Sequence, residues 1–215
     1  MNDGALPQLR TQASRDDYAS MARLARALHE TGLSTREVLR ECYAVDLPQE
    51  FFALAEDGPW RLGLMITNQP WRLTVPLERG GPNPEPTSRN SIERRLLALD
   101  PDLLPLLHLR LSDEAPIEML PVICYRFSEL RERRTTVFVV PGVADHPDEI
   151  GRTGDSLLDV LHAFQIADVR GLEEEFEHPA NWGIGEVQQT HLDGAREMLA
   201  RIDRLRSEVA SYEGW

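Results

Sequence analysis

Six histidines, two cysteines and a run of glutamates are the side chains in this 215-residue sequence best suited to chemistry. A catalytic zinc centre usually takes two ligands from one tight pair, commonly i and i+4 on a helix. The histidines do not offer such a pair. His146 stands in Asp145-His146-Pro147-Asp148-Glu149, and His162 and His178 follow at wide intervals. Pro147 marks the first group as an exposed loop, so neither a metal nor a cofactor is expected. No serine lies in a Gly-x-Ser-x-Gly elbow, and Gly154-Asp155-Ser156 reads as a turn followed by a helix cap. Cys42 falls on the apolar side of a predicted helix and Cys124 inside a predicted buried strand, where free thiols behave as small hydrophobes. Gly183-Ile184-Gly185 has two glycines of a dinucleotide fingerprint without the third, and Gly80-Gly81-Pro82 lacks the Lys-Ser/Thr of a phosphate loop. The sequence therefore points away from catalysis. The enzymatic alternative is a hydrolase-type protein using His146 or His162 with nearby carboxylates.

The remaining chemical resource is charge. The sequence has 36 acidic and 23 basic residues, all 23 of them Arg, for a formal charge of −13. From Met1 to Ala144 there are 20 acidic residues and 17 Arg, a net of −3; from Asp145 to Trp215 there are 16 and 6, a net of −10. The densest run is Glu173-Glu174-Glu175-Phe176-Glu177, near Asp168. Such a run either forms a solvated helix face or steers a basic partner toward the chain. Trp182 and Trp215 flank this acidic third, and aromatics beside carboxylates make good interface anchors. The candidate partner-binding residues are therefore Asp145, Asp148, Glu149, Glu173, Glu174, Glu175 and Trp182. The same sign argues against a nucleic-acid partner. No stretch approaches the ~18 apolar residues of a membrane span, and Met1 to Arg10 lacks the charged-then-apolar pattern of a secretory signal. Two distant cysteines make neither a disulfide framework nor a zinc site, so a cytoplasmic, reducing location is expected.

The elements that must position these groups begin with helices. Ser14 and Asp17 resemble a capping box ahead of Tyr18, Met21, Leu24, Ala25 and Leu28, which recur at helical spacing. Thr31-Gly32 is a stop. Ser34 and Glu37 form a second box, with Val38, Leu39 and Cys42 on one face. A third helix opens at Leu47-Pro48 and ends at Asp57-Gly58-Pro59. The period then changes: Arg61–Thr67 and Trp71–Leu77 read as a hairpin, and Arg79–Ser88 as loop. Ser91–Leu99 is a short helix, and Asp100-Pro101 opens another that Pro105 keeps short. Ile117–Phe127 and Thr135–Pro141 are strands, with Val137–Val140 buried on both faces. After a polar loop, Asp155 caps a helix over Ser156–Phe164. Leu192, Ala195, Leu199, Ile202, Leu205, Val209 and Tyr212 keep a near-heptad stripe that packs on its own domain or, alternatively, forms a homodimer. The order predicts an α+β fold: a central antiparallel or mixed sheet, helices before and after it, and a long C-terminal helix.

Several of these pieces resemble the SUKH superfamily, which includes bacterial immunity proteins of polymorphic toxin systems and cell-wall-synthesis regulators. The likeness rests on the helix Ser34–Cys42, on Leu47-Pro48 with Phe51-Phe52-Ala53-Leu54 and Asp57-Gly58, and on Leu120-Pro121-Val122-Ile123. Thr135–Val140 and Ser156-Leu157-Leu158-Asp159-Val160-Leu161 with Phe164 complete it. The resemblance spans Ser34 to Phe164 and divides the chain into an N-terminal helix (1–33), a SUKH-like α+β domain (34–166) and an acidic extension (167–215). It implies a non-enzymatic binding module that neutralises a cognate toxin by occluding its active surface. Many toxin domains are basic nucleases, and an acidic surface would complement one.

Overall fold

The computed structural model describes residues 5–85, 90–109, 116–177 and 189–212. Amphipathic segments form the first helices: α1 (Ala5–Gln12), α2 (Tyr18–Glu30), α3 (Thr35–Tyr43) and α4 (Gln49–Asp57). Ser34 and Glu37 make the reciprocal capping box read from the sequence. The cap of α2 is Asp17, not Ser14: its carboxylate accepts from the Ala19 N–H at 3.2 Å. Ser14 instead accepts at its carbonyl from the Asp17 N–H, closing the turn between α1 and α2. Pro48 sits one position outside α4, at the cap, and offers no side-chain acceptor.

The expected hairpin over 61–77 does not form. Only Met65–Ile66 is strand (β1), and the flanking runs coil into 3₁₀ turns at Pro59–Leu62 and Trp71–Thr74. Here the backbone polar groups find partners outside a ladder. The Asn68 and Gln69 N–H groups donate to the Glu93 carboxylate, and the Trp71 indole donates to the Leu106 carbonyl at 2.5 Å. After α5 (Asn90–Leu99), residues expected to start a helix form strand β2 (Leu103–His108) instead. Pro105 is accommodated by a register shift between Pro105 and Leu107, since a proline cannot donate to a regular ladder.

Strands β3 (Val122–Arg126), β4 (Val137–Val140) and β5 (Gly151–Gly154) complete a five-stranded, wholly antiparallel sheet in the order β1-β2-β3-β4-β5. The strand expected over Ile117–Phe127 is shorter, because Ile117–Met119 is a 3₁₀ turn, and Phe127–Arg131 forms the short helix α6. Strand β5 falls in what reads as a polar loop; its residues are mostly exposed, so no apolar alternation marks it. Helix α7 runs from Leu157 to Glu177, well past Phe164, and α8 from Gln189 to Ser211. Ser156, not Asp155, caps α7, accepting from the Asp159 N–H at 3.2 Å, while Asp155 pairs with Arg152.

The pleat sorts β3 into two layers. Ile123 and Tyr125 face a principal core with α2, α3, α4, α7 and α8, whereas Val122 and Cys124 face α5 through Ile92 and Leu96. The principal core draws on all three stretches of the sequence, from Tyr18 and Leu28 through Leu39 and Phe51 to Ile202 and Leu205. Much of the apolar stripe of α8 packs within the chain: Leu192, Ala195, Ile202 and Leu205 are buried against α7 and α4, Leu199 and Val209 are half-buried, and Tyr212 is exposed. Arg201 fixes α8 to the end of α4, holding Asp57 through two hydrogen bonds of 2.6 and 3.1 Å. No helix among the described residues is long and apolar enough to cross a membrane.

Candidate functional site

Helix α7 carries Asp159, Asp168, Glu173, Glu174, Glu175 and Glu177 against a single Arg170. Helix α8 balances Asp193, Glu197, Asp203 and Glu208 with four arginines. Of the acidic excess in the described C-terminal third, α7 carries a net of −5 and residues 145–155 a net of −3, while α8 is balanced. Leu157, Leu158, Val160, Leu161 and Val169 turn one side of α7 inward, and the carboxylates occupy the side left to water. Glu173 is half-buried and bound by Arg196 at 2.6 Å. Glu174, Glu175 and Glu177 are exposed, and none forms an ion pair among the described residues. Trp182 and His178 lie outside the described residues.

The other acidic candidates are in the loop before β5. Glu149 Oε1 accepts from the Asp145 and His146 N–H groups at 3.0 and 2.9 Å. Those two donors hold its carboxyl below the usual range, because they favour the ionised form. Glu149 thus acts as a cap for its own loop. Asp145 and Asp148 stay exposed, with His146 Nδ1 3.3 Å from Asp148 Oδ2. No hydrogen bond or ion pair among the described residues joins the loop to the glutamate run: the loop precedes β5, while Glu173–Glu175 lie about 25 Å along α7 from its first residue.

The histidines of the enzymatic alternative have different partners, His146 in its own loop and His162 across to α8. His162 Nε2 is 3.1 Å from Asp203 Oδ1, and Arg206 bridges Asp203 to Asp159. Asp159, Asp203 and Arg206 border a cleft of about 540 Å³ that Glu50, Ser156 and Ser207 also line. A serine hydroxyl, a histidine and an aspartate are thus near one another, but they are not in series. Ser156 Oγ donates to Glu50 Oε2 at 2.6 Å, so its proton points at a carboxylate and not at an imidazole. Burial pushes the half-buried Cys42 thiol up to about 12 and the fully buried Cys124 thiol up as well. Neither supplies the thiolate that nucleophilic chemistry needs. Among the described residues, no group of three His, Cys, Asp or Glu is placed to hold a metal ion.

Two buried carboxylates escape sequence reading. Glu50 accepts from the Tyr125 hydroxyl at 2.7 Å, from Ser156, and from the Leu157 and Leu158 N–H groups at 2.9 and 3.2 Å. Glu93 accepts from Asn68 and Gln69, and burial raises its carboxyl to about 7 against the pull of those donors and of Arg72. A signal for both is present. Glu50 lies four residues before Leu54, and Glu93 three before Leu96, which puts each on the inward stripe of its helix. An acidic residue in that register needs an internal partner.

No protein-family model, no curated protein and no solved structure matches the chain.

Proposed function

We propose that this protein is a non-catalytic binding module whose acidic α7 face receives a basic partner protein, and that it serves as an immunity protein neutralising a cognate toxin domain. The observation that carries the reading is the row Glu174, Glu175 and Glu177, exposed at the end of a long helix and unneutralised by any described residue of the chain. Carboxylates displayed in this way raise the encounter rate with a cationic surface and reject anionic ones. The resemblance of Ser34–Phe164 to the SUKH superfamily supplies the partner class. The α7 row lies beyond that resembling stretch, so it would act as an added recognition element.

The test is co-purification with the products of adjacent genes, followed by stopped-flow association at several salt concentrations. A complex is expected whose association slows with salt, because exposed charges are screened over about 8 Å at physiological ionic strength. The Glu174→Arg, Glu175→Arg double variant should slow association about tenfold with little change in melting temperature. Failure of every neighbouring product to bind, or an association rate indifferent to the reversal, overturns the reading.

A further inference from the structure

The chain also holds a concentrated positive site. Between the α3–α4 turn and the α6–β4 turn lies an open cleft of about 510 Å³, lined by Arg36, Asp46, Gln49, Arg131 and Arg133 with Val45 and Leu130 among its apolar neighbours. Three guanidinium groups face one carboxylate there, in a protein whose formal charge is −13. The ion pairs made by Arg131 and Asp46 are weak. Arg131 Nη1 is 3.9 Å from Asp102, and Asp46 is 4.0 Å from Arg40, outside hydrogen-bond range in both cases. Arg133 makes no side-chain hydrogen bond or ion pair with the described residues, and it is exposed.

Arg36 is fixed in place. Its guanidinium stacks over the Phe52 ring at 4.0 Å, and Nη2 donates to Gln49 Oε1 at 2.5 Å. A planar guanidinium held this way keeps its remaining N–H groups directed, as bidentate recognition of a carboxylate or phosphate requires. Arg133 adds a second peculiarity: its φ is 58°, in the left-handed region that favours glycine. Its N–H closes α6 by donating to the Leu130 carbonyl at 3.0 Å, a role glycine would fill at lower cost. The Arg133 side chain, exposed and without a hydrogen bond or ion pair to the described residues, lines the cleft.

We propose that this cleft binds a small oxyanion, phosphate or carboxylate, through Arg36, Arg131 and Arg133. Arg36 is the preset anchor, and Arg131 at the end of α6 and Arg133 in the turn that follows close on the ligand. The site is independent of the α7 face and of the basic partner proposed for it.

The experiment is calorimetric titration of the full chain with inorganic pyrophosphate and, in a separate arm, with citrate, both at fixed ionic strength set by chloride. Saturable binding of at least one is expected, and the tighter arm identifies the headgroup. Arg133→Gly should weaken that binding about tenfold while leaving the melting temperature equal or higher, because glycine suits the left-handed position. Arg131→Ala should weaken it similarly, whereas Arg204→Ala on α8 should not. The proposal is overturned if neither anion binds more tightly than about 10 mM, or if Arg133→Gly and Arg131→Ala bind like the parent.

Discussion

Glu50 and Leu157, 107 residues apart, are joined by a 2.9 Å hydrogen bond from the first N–H of α7 to a buried carboxylate on α4. The same carboxylate takes the Leu158 N–H, the Ser156 hydroxyl and the Tyr125 hydroxyl of β3. A helix begins with N–H groups that have no partner within it, and a negative charge at that end is favoured by the helix dipole. One side chain thus ties α4, β3 and α7 together and directs the helix that displays the acidic face.

Glu50→Gln should therefore destabilise the fold although it is nearly isosteric. The amide places a donor where all four existing partners donate, leaving at least one buried N–H or hydroxyl unmet. A loss of about 1–3 kcal/mol is expected, read as a lower midpoint in urea with an unchanged slope. A midpoint equal to that of the parent would show that the cap is dispensable.

The helices were legible because caps and apolar spacing are local: Ser34 with Glu37, and the Tyr18–Leu28 stripe, formed as read, apart from the cap of α2. The hairpin at 61–77 misled because its apolar runs have the right composition for strands. What decides the backbone there is Glu93, on α5, with the Leu106 carbonyl receiving the Trp71 indole, and neither is adjacent in sequence. Pro105 misled for the opposite reason. A local rule against proline in strands holds for regular ladders, and β2 evades it with a register shift. The acidic concentration beyond Ala144 was legible from counting alone. Its partition was not: Glu149 is spent on its own loop and Glu173 on Arg196, pairings that depend on where the chain folds back.

Gly142 illustrates a constraint with no local signature. A Cβ at this buried position would lie 2.1 Å from the carbonyl carbon and oxygen of Met119, which are backbone and cannot swing aside. Gly142→Ala should cost about 3 kcal/mol or more, measured by chemical unfolding. Gly151→Ala, where nothing lies within 4 Å of the added carbon, is the matched control and should be near neutral. Equal stability of the two variants would contradict the close approach.

Leu205 tests where the stripe of α8 is spent. It is 2% exposed within the principal core, so Leu205→Ala should lose about 2–5 kcal/mol from removed contacts and the cavity left behind. Sedimentation of the folded variant should match that of the parent. A variant of undiminished stability but altered mass would instead assign the stripe to an interface between copies.

Glu93 should make stability depend on pH with an unusual sign for a carboxylate. Most paired carboxylates have a depressed value and lose stability in acid; burial raises this one from 4.5 to about 7. The folded state therefore holds the proton more tightly than the unfolded chain does. Its stabilising contribution is complete below about 4.5 and is lost as pH rises through about 7, with a total on the order of 3 kcal/mol. Glu93→Gln keeps an acceptor for the Asn68 and Gln69 N–H groups and cannot ionise. Urea midpoints taken from pH 5 to 8 should fall for the parent relative to the variant, with the two curves converging toward the acid end. Parallel curves would show that the Glu93 carboxyl titrates alike in the folded and unfolded chains.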